Sequence, residues 1–316
     1  MTNKRKETYA ESVKKRMKNK MPENLLGGLY DGQPRPHICN KLEYNFIDGK
    51  YPKEKCIKGI PTNKEIKYHY AEHLNSSQTM CISYFKKFFE KPEYEALLIK
   101  ILSEMGLGIS VFDTIEEAIF EHILNPKEGT NFDFYLKLHD DRQITFEIKF
   151  TESEFGATSK IKDASFVYCK KYADIYVPML AKCAYSPKNN ILSDNIACLN
   201  GKEKAEFFPC LEAKGNREEC KEQNTCPAYQ FYKYYQIRRN ILYAEKDKDI
   251  VIFLSPEENH SLDKEREYIE WYANTLKTPN IRNIYWEKLL DATLLIVKDA
   301  PELFEYYKKF KNKYFE

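Results

Sequence analysis

Residues 131–151, NFDFYLKLHDDRQITFEIKFT, contain two runs in which apolar and polar side chains alternate strictly, on either side of a polar tetrad at 139–142. A period of two is typical of strands with one buried face, so this stretch predicts a β-hairpin. The apolar faces of both strands must meet one core. Even-numbered residues must therefore oppose even-numbered ones, which centres the turn on residue 140 or 141.

The polar face of this hairpin carries two carboxylates and a lysine, since Asp133 shares it with Glu147 and Lys149 in the predicted register. Two carboxylates at short range repel each other unless a cation lies between them. Mg²⁺ typically binds one or two carboxylates together with water and substrate phosphate, and the Ile148 carbonyl can supply another oxygen. Lys149 would then orient or deprotonate the attacking water, or neutralise charge on the phosphate. The pattern predicts metal-assisted phosphodiester hydrolysis.

The composition of the whole chain limits the class of protein. Its 316 residues include 50 Lys and Arg against 48 Asp and Glu, 42% are hydrophobic, and no apolar run reaches 18 residues. These values exclude a membrane span and general disorder. The first 20 residues hold eight basic and two acidic side chains without an apolar stretch. We therefore expect a cytoplasmic protein without a secretory signal, whose basic start is a solvated tail or a contact for a polyanion.

Outside the hairpin, the sequence predicts helices alternating with strands. Glycine and proline in 21–62 favour loops, and apolar spacing from residue 64 to 105 predicts a helical region interrupted at Pro92 and ended by Gly106. Further along the chain we expect a helix at 171–184, strands at 249–255 and 280–286, and an amphipathic helix at 301–316. Strands separated by helices favour an α/β fold.

Residues 185–226 are polar and contain cysteines, which indicates an insertion. Four cysteines lie close together in the sequence: Cys198, Cys210, Cys220 and Cys226. Their density suggests a structural metal site, either Zn²⁺ or an iron–sulfur cluster, although such sites usually contain closely spaced cysteine pairs. Buried reduced thiols are the alternative.

Asp133, followed by Glu147, Ile148 and Lys149, resembles the motif of the PD-(D/E)xK nuclease superfamily, with Phe132 where the motif often has proline. Four further segments are similar to a group of bacterial type II-like restriction endonucleases: HLNSSQ at 73–78, EGTNFD at 128–133, TESEFG at 151–156 and YQIRRN at 235–240. The likeness covers roughly residues 70–290 and leaves out the first 60.

This resemblance implies a restriction-endonuclease-like αβββαβ core, with a mixed central sheet flanked by helices. It implies that double-stranded DNA is cut with Mg²⁺, or Mn²⁺ as a substitute, in a role such as phage defence. Asp133, Glu147 and Lys149 would be catalytic, and the first two would hold the metal with Ile148. An accessory residue often joins this site, and the candidates are Gln78, Glu95, Glu121 and Glu154. Cleavage of both strands implies a homodimer.

The expected organisation is a basic, loop-rich N-terminal extension at 1–62, a nuclease domain at 63–300 that contains the insertion at 185–226, and a C-terminal helix at 301–316. Candidate DNA contacts lie in two segments: Asn75, Ser76 and Ser77 before one helix, and Lys233, Arg238 and Arg239 on another. Asn75 or Ser76 can cap the first helix or, with Ser77, bind phosphate. Adjacent residues are about 100° apart on a helix, so at least one of the two arginines should face outward.

Two other functions compete with the nuclease. His69, Glu72 and His73 match the H-x-x-E-H pattern of zinc metallopeptidases, in which both histidines lie one helical turn apart and bind Zn²⁺. The chain could also be a catalytically silent nucleic-acid-binding protein that retains a nuclease-like core. Zinc content would favour the first, and DNA binding without cleavage would favour the second.

Overall fold

The computed structural model describes residues 7–61, 64–156, 171–185, 231–232 and 234–316. Almost all of the expected insertion at 185–226 lies outside these ranges. The four clustered cysteines Cys198, Cys210, Cys220 and Cys226 also lie outside them, as does Lys233. The metal site expected at these cysteines therefore stays a prediction.

The described residues form a mixed α/β fold. Its helices are α1 (Tyr9–Lys20), α2 (Ser77–Phe85), α3 (Pro92–Glu104), α4 (Val177–Lys182), α5 (Tyr235–Ile241), α6 (Asp263–Leu276), α7 (Trp286–Ile296) and α8 (Pro301–Tyr314). Its strands are β1 (Leu29–Tyr30), β2 (Gln33–Pro34), β3 (Cys56–Lys58), β4 (Ile115–His122), β5 (Phe132–Leu138), β6 (Gln143–Ile148), β7 (Ile250–Ser255) and β8 (Ile281–Tyr285).

Strands β3 to β8 form one sheet in sequence order, and it has six strands within the described residues. Neighbouring strands from β3 to β6 run antiparallel, while β6, β7 and β8 are parallel. The predicted mixed central sheet flanked by helices is confirmed. The predicted strands at 249–255 and 280–286 correspond to β7 and β8.

The register of the hairpin is the one that the alternation predicts. Phe134 pairs with Phe146 and Leu136 with Ile144, so even-numbered residues face each other and the turn is centred on residue 140. The even face packs on helix α2, where the rings of Phe85 and Phe134 stack with centroids 4.1 Å apart. This face belongs to the larger of two hydrophobic cores, on the side of α2, α3, α7 and α8.

The opposite face of the sheet is also covered. Val251, Phe253 and Ile281 lie in a second core together with Ile237 of α5 and Ile269 of α6. As a result, the polar face of the hairpin is not a solvated surface. Glu147 is only 3% exposed and Lys149 only 9%. Burial of these charged side chains requires pairing or ligands, because an isolated charge is costly to remove from water.

The helical region expected from residue 64 begins later than predicted. Residues 64–76 contain turns and loop, and α2 starts at Ser77 with Ser76 as its N-cap, whose hydroxyl accepts a 3.3 Å hydrogen bond from the Thr79 amide. The break at Pro92 and the end of α3 before Gly106 are confirmed. The helices expected near 171–184 and 301–316 are also present.

From residue 7 on, the basic N-terminal segment is folded and is not a solvated tail. Thr8 and Glu11 form a capping box at the start of α1. Val13 and Met17 on this helix are buried in the larger core. Apolar spacing of four residues within a charged helix buries one face and leaves the lysines of the other accessible. Among the described residues, no helix has the length and apolar character that crossing a membrane requires.

Candidate active site

The sheet places three acidic residues in register on three adjacent strands. Phe120 and His122 of β4 pair with Phe134 and Phe132 of β5, which places Glu121 opposite Asp133. On the other side of β5, Phe134 pairs with Phe146 of β6. In the same register, the next position places Asp133 opposite Glu147. A row of carboxyl groups therefore crosses the sheet where β4 and β6 end and β5 begins.

Backbone and side-chain hydrogen bonds fix the central pair of this row. The Ile148 amide donates to Asp133 Oδ2 over 2.6 Å. Lys149 Nζ donates to Glu147 Oε1 over 2.6 Å, and its own backbone amide donates to the Leu254 carbonyl of β7. The three residues that the motif predicted to be catalytic are thus within one connected network.

The electrostatics of this network leave excess negative charge. Burial, together with the charges of Glu147 and Glu121, raises the pKa of the Asp133 carboxyl well above its usual range, against the opposing effect of Lys149. Burial alone would lower the pKa of Lys149, but the carboxylates of Glu147 and Asp133 outweigh it and raise that pKa. The lysine is therefore protonated at neutral pH, and among the described residues Lys149 and, beside Glu121, Lys55 face three acidic groups.

This donor set fits a hard divalent cation. Carboxylate oxygens without a full set of counter-charges are the ligands that Mg²⁺ accepts, and Mg²⁺ commonly uses only one or two of them. Within the part of the chain that the structure describes, no three or more His, Cys, Asp and Glu side chains are grouped closely enough to hold a metal ion by themselves. Zinc usually takes three or four such ligands. The donor atoms here are oxygens, which magnesium prefers, and a magnesium site at these residues stays a prediction.

Glu121 is the accessory candidate that the structure places beside Asp133, on the neighbouring strand. Gln78 Nε2 donates to its Oε1 over 3.1 Å, and the Asn131 amide group donates to its Oε2. Burial raises the pKa of Glu121, and the charge of Glu147 acts in the same direction. Its φ of 50° is unusual for a residue with a long side chain, and such backbone strain is concentrated at functional sites.

The other accessory candidates differ. Gln78 reaches the site through its contact with Glu121, whereas Glu95 forms an ion pair with Lys58. No contact described here brings Glu154 to the carboxylate row.

Asn240 is a site residue that sequence reasoning missed. Its Nδ2 donates to Glu147 Oε2 over 2.7 Å, so both oxygens of Glu147 are held, one by Lys149 and one by Asn240. Asn240 is fully buried on α5. Asn240 is the last residue of the YQIRRN segment. The one feature of the sequence that could have indicated it is an uncharged polar residue directly after two arginines. Nothing local to that segment shows which strand it faces.

A second buried carboxylate, Glu128, positions the helix that carries Asn240. Hydroxyl groups of three tyrosines donate to it, from Tyr176, Tyr235 and Tyr243. These bonds join the β4–β5 loop to the segments before, within and after α5. Although burial would raise the pKa of Glu128, hydrogen bonds from Thr130 and Tyr176 lower it to about 2.

We expect Glu128→Gln to destabilise the protein in a pH-dependent manner. Because the folded-state pKa of Glu128 is depressed, its stabilisation is fully present above the ordinary pKa of glutamate and is lost as the pH falls toward 2. The variant should lose on the order of 2 kcal/mol at neutral pH, and this difference should shrink in acid. Urea unfolding between about pH 7 and pH 3 measures it. Glu95→Gln is the control, and a difference that does not change with pH would contradict the prediction.

Both arginines of α5 are buried, so the expectation that one of them faces outward is wrong. Arg238 is 7% exposed and donates to the Tyr268 hydroxyl over 2.7 Å. Arg239 is 8% exposed and lies over the Tyr235 ring at 5.0 Å. Aromatic side chains from α5 and α6 cover both guanidinium groups. Their contact with DNA is not supported by this packing.

The H-x-x-E-H motif does not have the geometry of a zinc peptidase. Residues 69–73 lie in turns rather than in a helix, and Tyr70 between the two histidines has a φ of 54°. The histidine rings are therefore not presented one helical turn apart. His73 packs instead against the rings of Tyr30 and His37. The zinc-peptidase alternative predicted a helix at residues 69–73, and this prediction is wrong.

The predicted phosphate-binding segment before α2 lies near the catalytic residues. Asn75 Nδ2 donates to Thr151 Oγ1 over 2.7 Å, and Ser77 Oγ donates to Glu152 Oε1 over 2.6 Å. Both partners follow Lys149 closely in the chain. Ser76 acts as the helix cap. These residues lie beside the candidate site, and their contact with DNA stays a prediction.

Comparison with known proteins places the chain in a family. A family model described as "Restriction Endonuclease associating with ARP" matches residues 3–315. It covers nearly the whole chain, including the N-terminal region that the resemblance over 70–290 left out. None of the curated proteins matches the chain, and no solved structure matches it.

Proposed function

The chain belongs to the family of restriction endonucleases associating with ARP, and from this premise we propose that it is a Mg²⁺-dependent DNA endonuclease of the PD-(D/E)xK type. The observation that carries the proposal is the row of Glu121, Asp133 and Glu147 with the buried Lys149 bonded to Glu147. The element order of the described residues, helices followed by three antiparallel strands and then a parallel strand, supports the restriction-endonuclease-like core.

Asp133 and Glu147 would hold the metal, with the Ile148 carbonyl as a further oxygen donor. When bound, Mg²⁺ supplies an electrophile that stabilises negative charge on the phosphate and makes water more acidic. Lys149, being protonated, contributes a fixed positive charge toward the phosphate rather than a base. Burial raises the pKa of Glu121, which would make it a better acceptor than an ordinary glutamate for a proton from the attacking water.

The remaining chain residues orient this set. Asn240 donates a hydrogen bond to one oxygen of Glu147, and the Ile148 amide donates one to an oxygen of Asp133. These bonds fix the orientation of both carboxylates. Such preorganised groups lower the barrier because they need not reorient during the reaction. We further propose that two copies act together to cut both strands, since each copy has one such site. The family description names an association with ARP. We propose that this chain also associates with ARP.

Incubation with unmethylated plasmid and phage DNA tests the function directly. With Mg²⁺ or Mn²⁺ we expect discrete fragments, and end sequencing would then give the cleavage position. Excess EDTA should abolish cutting, and renewed Mg²⁺ should restore it. A smear would indicate a nonspecific nuclease, and DNA binding without any cleavage would favour the catalytically silent alternative. Absence of both binding and cleavage would overturn the proposal.

A further inference from the structure

A cleft of about 690 Å³ opens between helices α1 and α2, and we call it the α1–α2 cleft. Its walls come from the start of α1, the loop before α2 and the segment after Lys149. Among its lining residues are Lys14, Tyr30, Tyr70, Asn75, Gln78 and Thr151. No step of the chemistry described above uses the aromatic part of this wall.

A hydrogen bond to Glu121 and the chain segment after Lys149 connect the cleft to the candidate active site. Gln78 lines the cleft and also donates to Glu121 in the carboxylate row. Thr151 and Glu152 line it as well, and they lie two and three residues after Lys149 in the chain. A strand whose phosphate lies at the carboxylates would therefore continue into this cleft.

Three aromatic rings line its outer part. Tyr70 contacts Tyr30 at 5.9 Å and His73 at 5.3 Å between ring centroids. Tyr70 nevertheless remains 63% exposed, and Tyr30 remains 37% exposed. Burial and the charge of Lys14 lower the pKa of His73, so the third ring is neutral. Exposed aromatic rings beside a nucleic-acid site are suited to stacking on bases.

The Tyr70 ring is held in place by a strained but firmly anchored loop. Its φ of 54° is rarely adopted by a bulky residue, and such strain persists only where the surroundings impose it. Asn45 Nδ2 donates to the carbonyls of Ala71 and His73, each over 2.7 Å. The His69 amide donates to Gln78 Oε1 over 3.1 Å. The ring is thus presented to solvent by a backbone that is fixed on both sides.

The inner wall supplies polar groups for a nucleotide. Lys14 contributes a positive charge for phosphate. The Oδ1 atom of Asn75 is buried and accepts no hydrogen bond from the residues that the structure describes. An unpaired buried acceptor suits the amino group of a base. Glu152, the acidic residue of the wall, is already occupied by Ser77 and by the Phe150 amide.

We propose that the α1–α2 cleft binds one unstacked nucleotide of the substrate strand, next to the phosphate that is cleaved, with its base against Tyr70. The inference rests on the proposed endonuclease function and adds to it a preference for DNA that is locally unpaired. The stacking surface accepts any base, because every base has an aromatic face. Lys14 contacts the backbone of the same strand.

The test measures binding of a fluorescent duplex with one unpaired base, in EDTA so that no cleavage occurs. Tyr70→Gly removes the ring and also suits the backbone, because glycine adopts a φ of 54° without strain. We expect this variant to bind about tenfold more weakly than wild type or worse, while its thermal stability is retained. Tyr70→Trp should bind like wild type, because it restores a stacking surface.

Phe112→Ala is the matched control, since Phe112 is 88% exposed and lies in the loop near Arg142 at the far end of the hairpin. It should bind DNA like wild type. If wild type binds and Tyr70→Gly binds equally well, the cleft proposal fails while the endonuclease proposal stands. If wild type neither binds nor cuts DNA, both proposals fail. Weak binding by Tyr70→Trp as well would also contradict stacking.

Discussion

Asp133→Asn is expected to reduce DNA cleavage by about 10²- to 10³-fold while making the metal-free protein more stable. The loss follows because an amide oxygen is a weaker ligand for Mg²⁺ than a carboxylate and carries no charge. The gain follows from the raised pKa of Asp133, which shows that the ionised form is destabilised by burial and by Glu147. Asparagine retains an oxygen that can accept the hydrogen bond from Ile148.

Nicking of supercoiled plasmid measures the first effect, and thermal unfolding in EDTA measures the second. The stability difference should be largest at neutral pH and should shrink in acid, where wild-type Asp133 becomes protonated. Asp291→Asn is the control, because Asp291 lies on α7 with a side chain that is 70% exposed. Cleavage within about twofold of wild type in Asp133→Asn would contradict the assignment of the catalytic set.

The hairpin could be predicted from sequence because its signal is local. A strict period of two fixes which residues share a face, and the need for one core then fixes the register of β5 and β6. Asp133, Glu147 and Lys149 followed from that register. The burial of the polar face did not, because it depends on the layer that α4, α5 and α6 form over the sheet.

Other parts of the site depend on contacts that no local pattern encodes. Asn240 reaches Glu147 across 93 positions of the chain, so only the packing of α5 reveals it. Helical geometry gave the angle between Arg238 and Arg239 but not the tyrosines that cover them both. The H-x-x-E-H pattern was misleading because it assumes a helix, and Tyr70 in a left-handed conformation prevents one there.

Asp133 and Lys149 therefore differ in what they contribute to the stability of the fold. Asp133 adds a charge that the fold disfavours, whereas Lys149 supplies the cation that offsets it and Glu147. Binding of a further cation, as proposed above, would explain why the fold tolerates excess buried carboxylate. Replacing either residue should reduce cleavage to a similar extent, but the effects on the free energy of unfolding should have opposite signs. This difference separates a catalytic cluster from an ordinary buried ion pair.

Lys149→Met is accordingly expected to reduce cleavage by about 10²- to 10³-fold and, unlike Asp133→Asn, to destabilise the protein by about 3 kcal/mol at neutral pH. Methionine keeps most of the volume but leaves Glu147 and Asp133 without their cation. Wild-type Lys149 has a raised pKa, so its stabilisation is present below the ordinary pKa of lysine and is lost only as the pH rises through the folded-state value. The defect of the variant should therefore persist across neutral pH and diminish in acid, where Asp133 is protonated.

Urea unfolding of both single variants and of the double variant measures this coupling. The double variant should be more stable than Lys149→Met alone, because Asp133→Asn removes the charge that the lysine balanced. Lys308→Met on the exposed side of α8 controls for the loss of a lysine, since the Lys308 side chain is 53% exposed. If the effects of the two substitutions on the free energy of unfolding simply add, Asp133 on β5 and Lys149, directly after β6, do not act on each other as their positions indicate. If Lys149→Met still cuts DNA at the wild-type rate, the lysine has no part in the reaction.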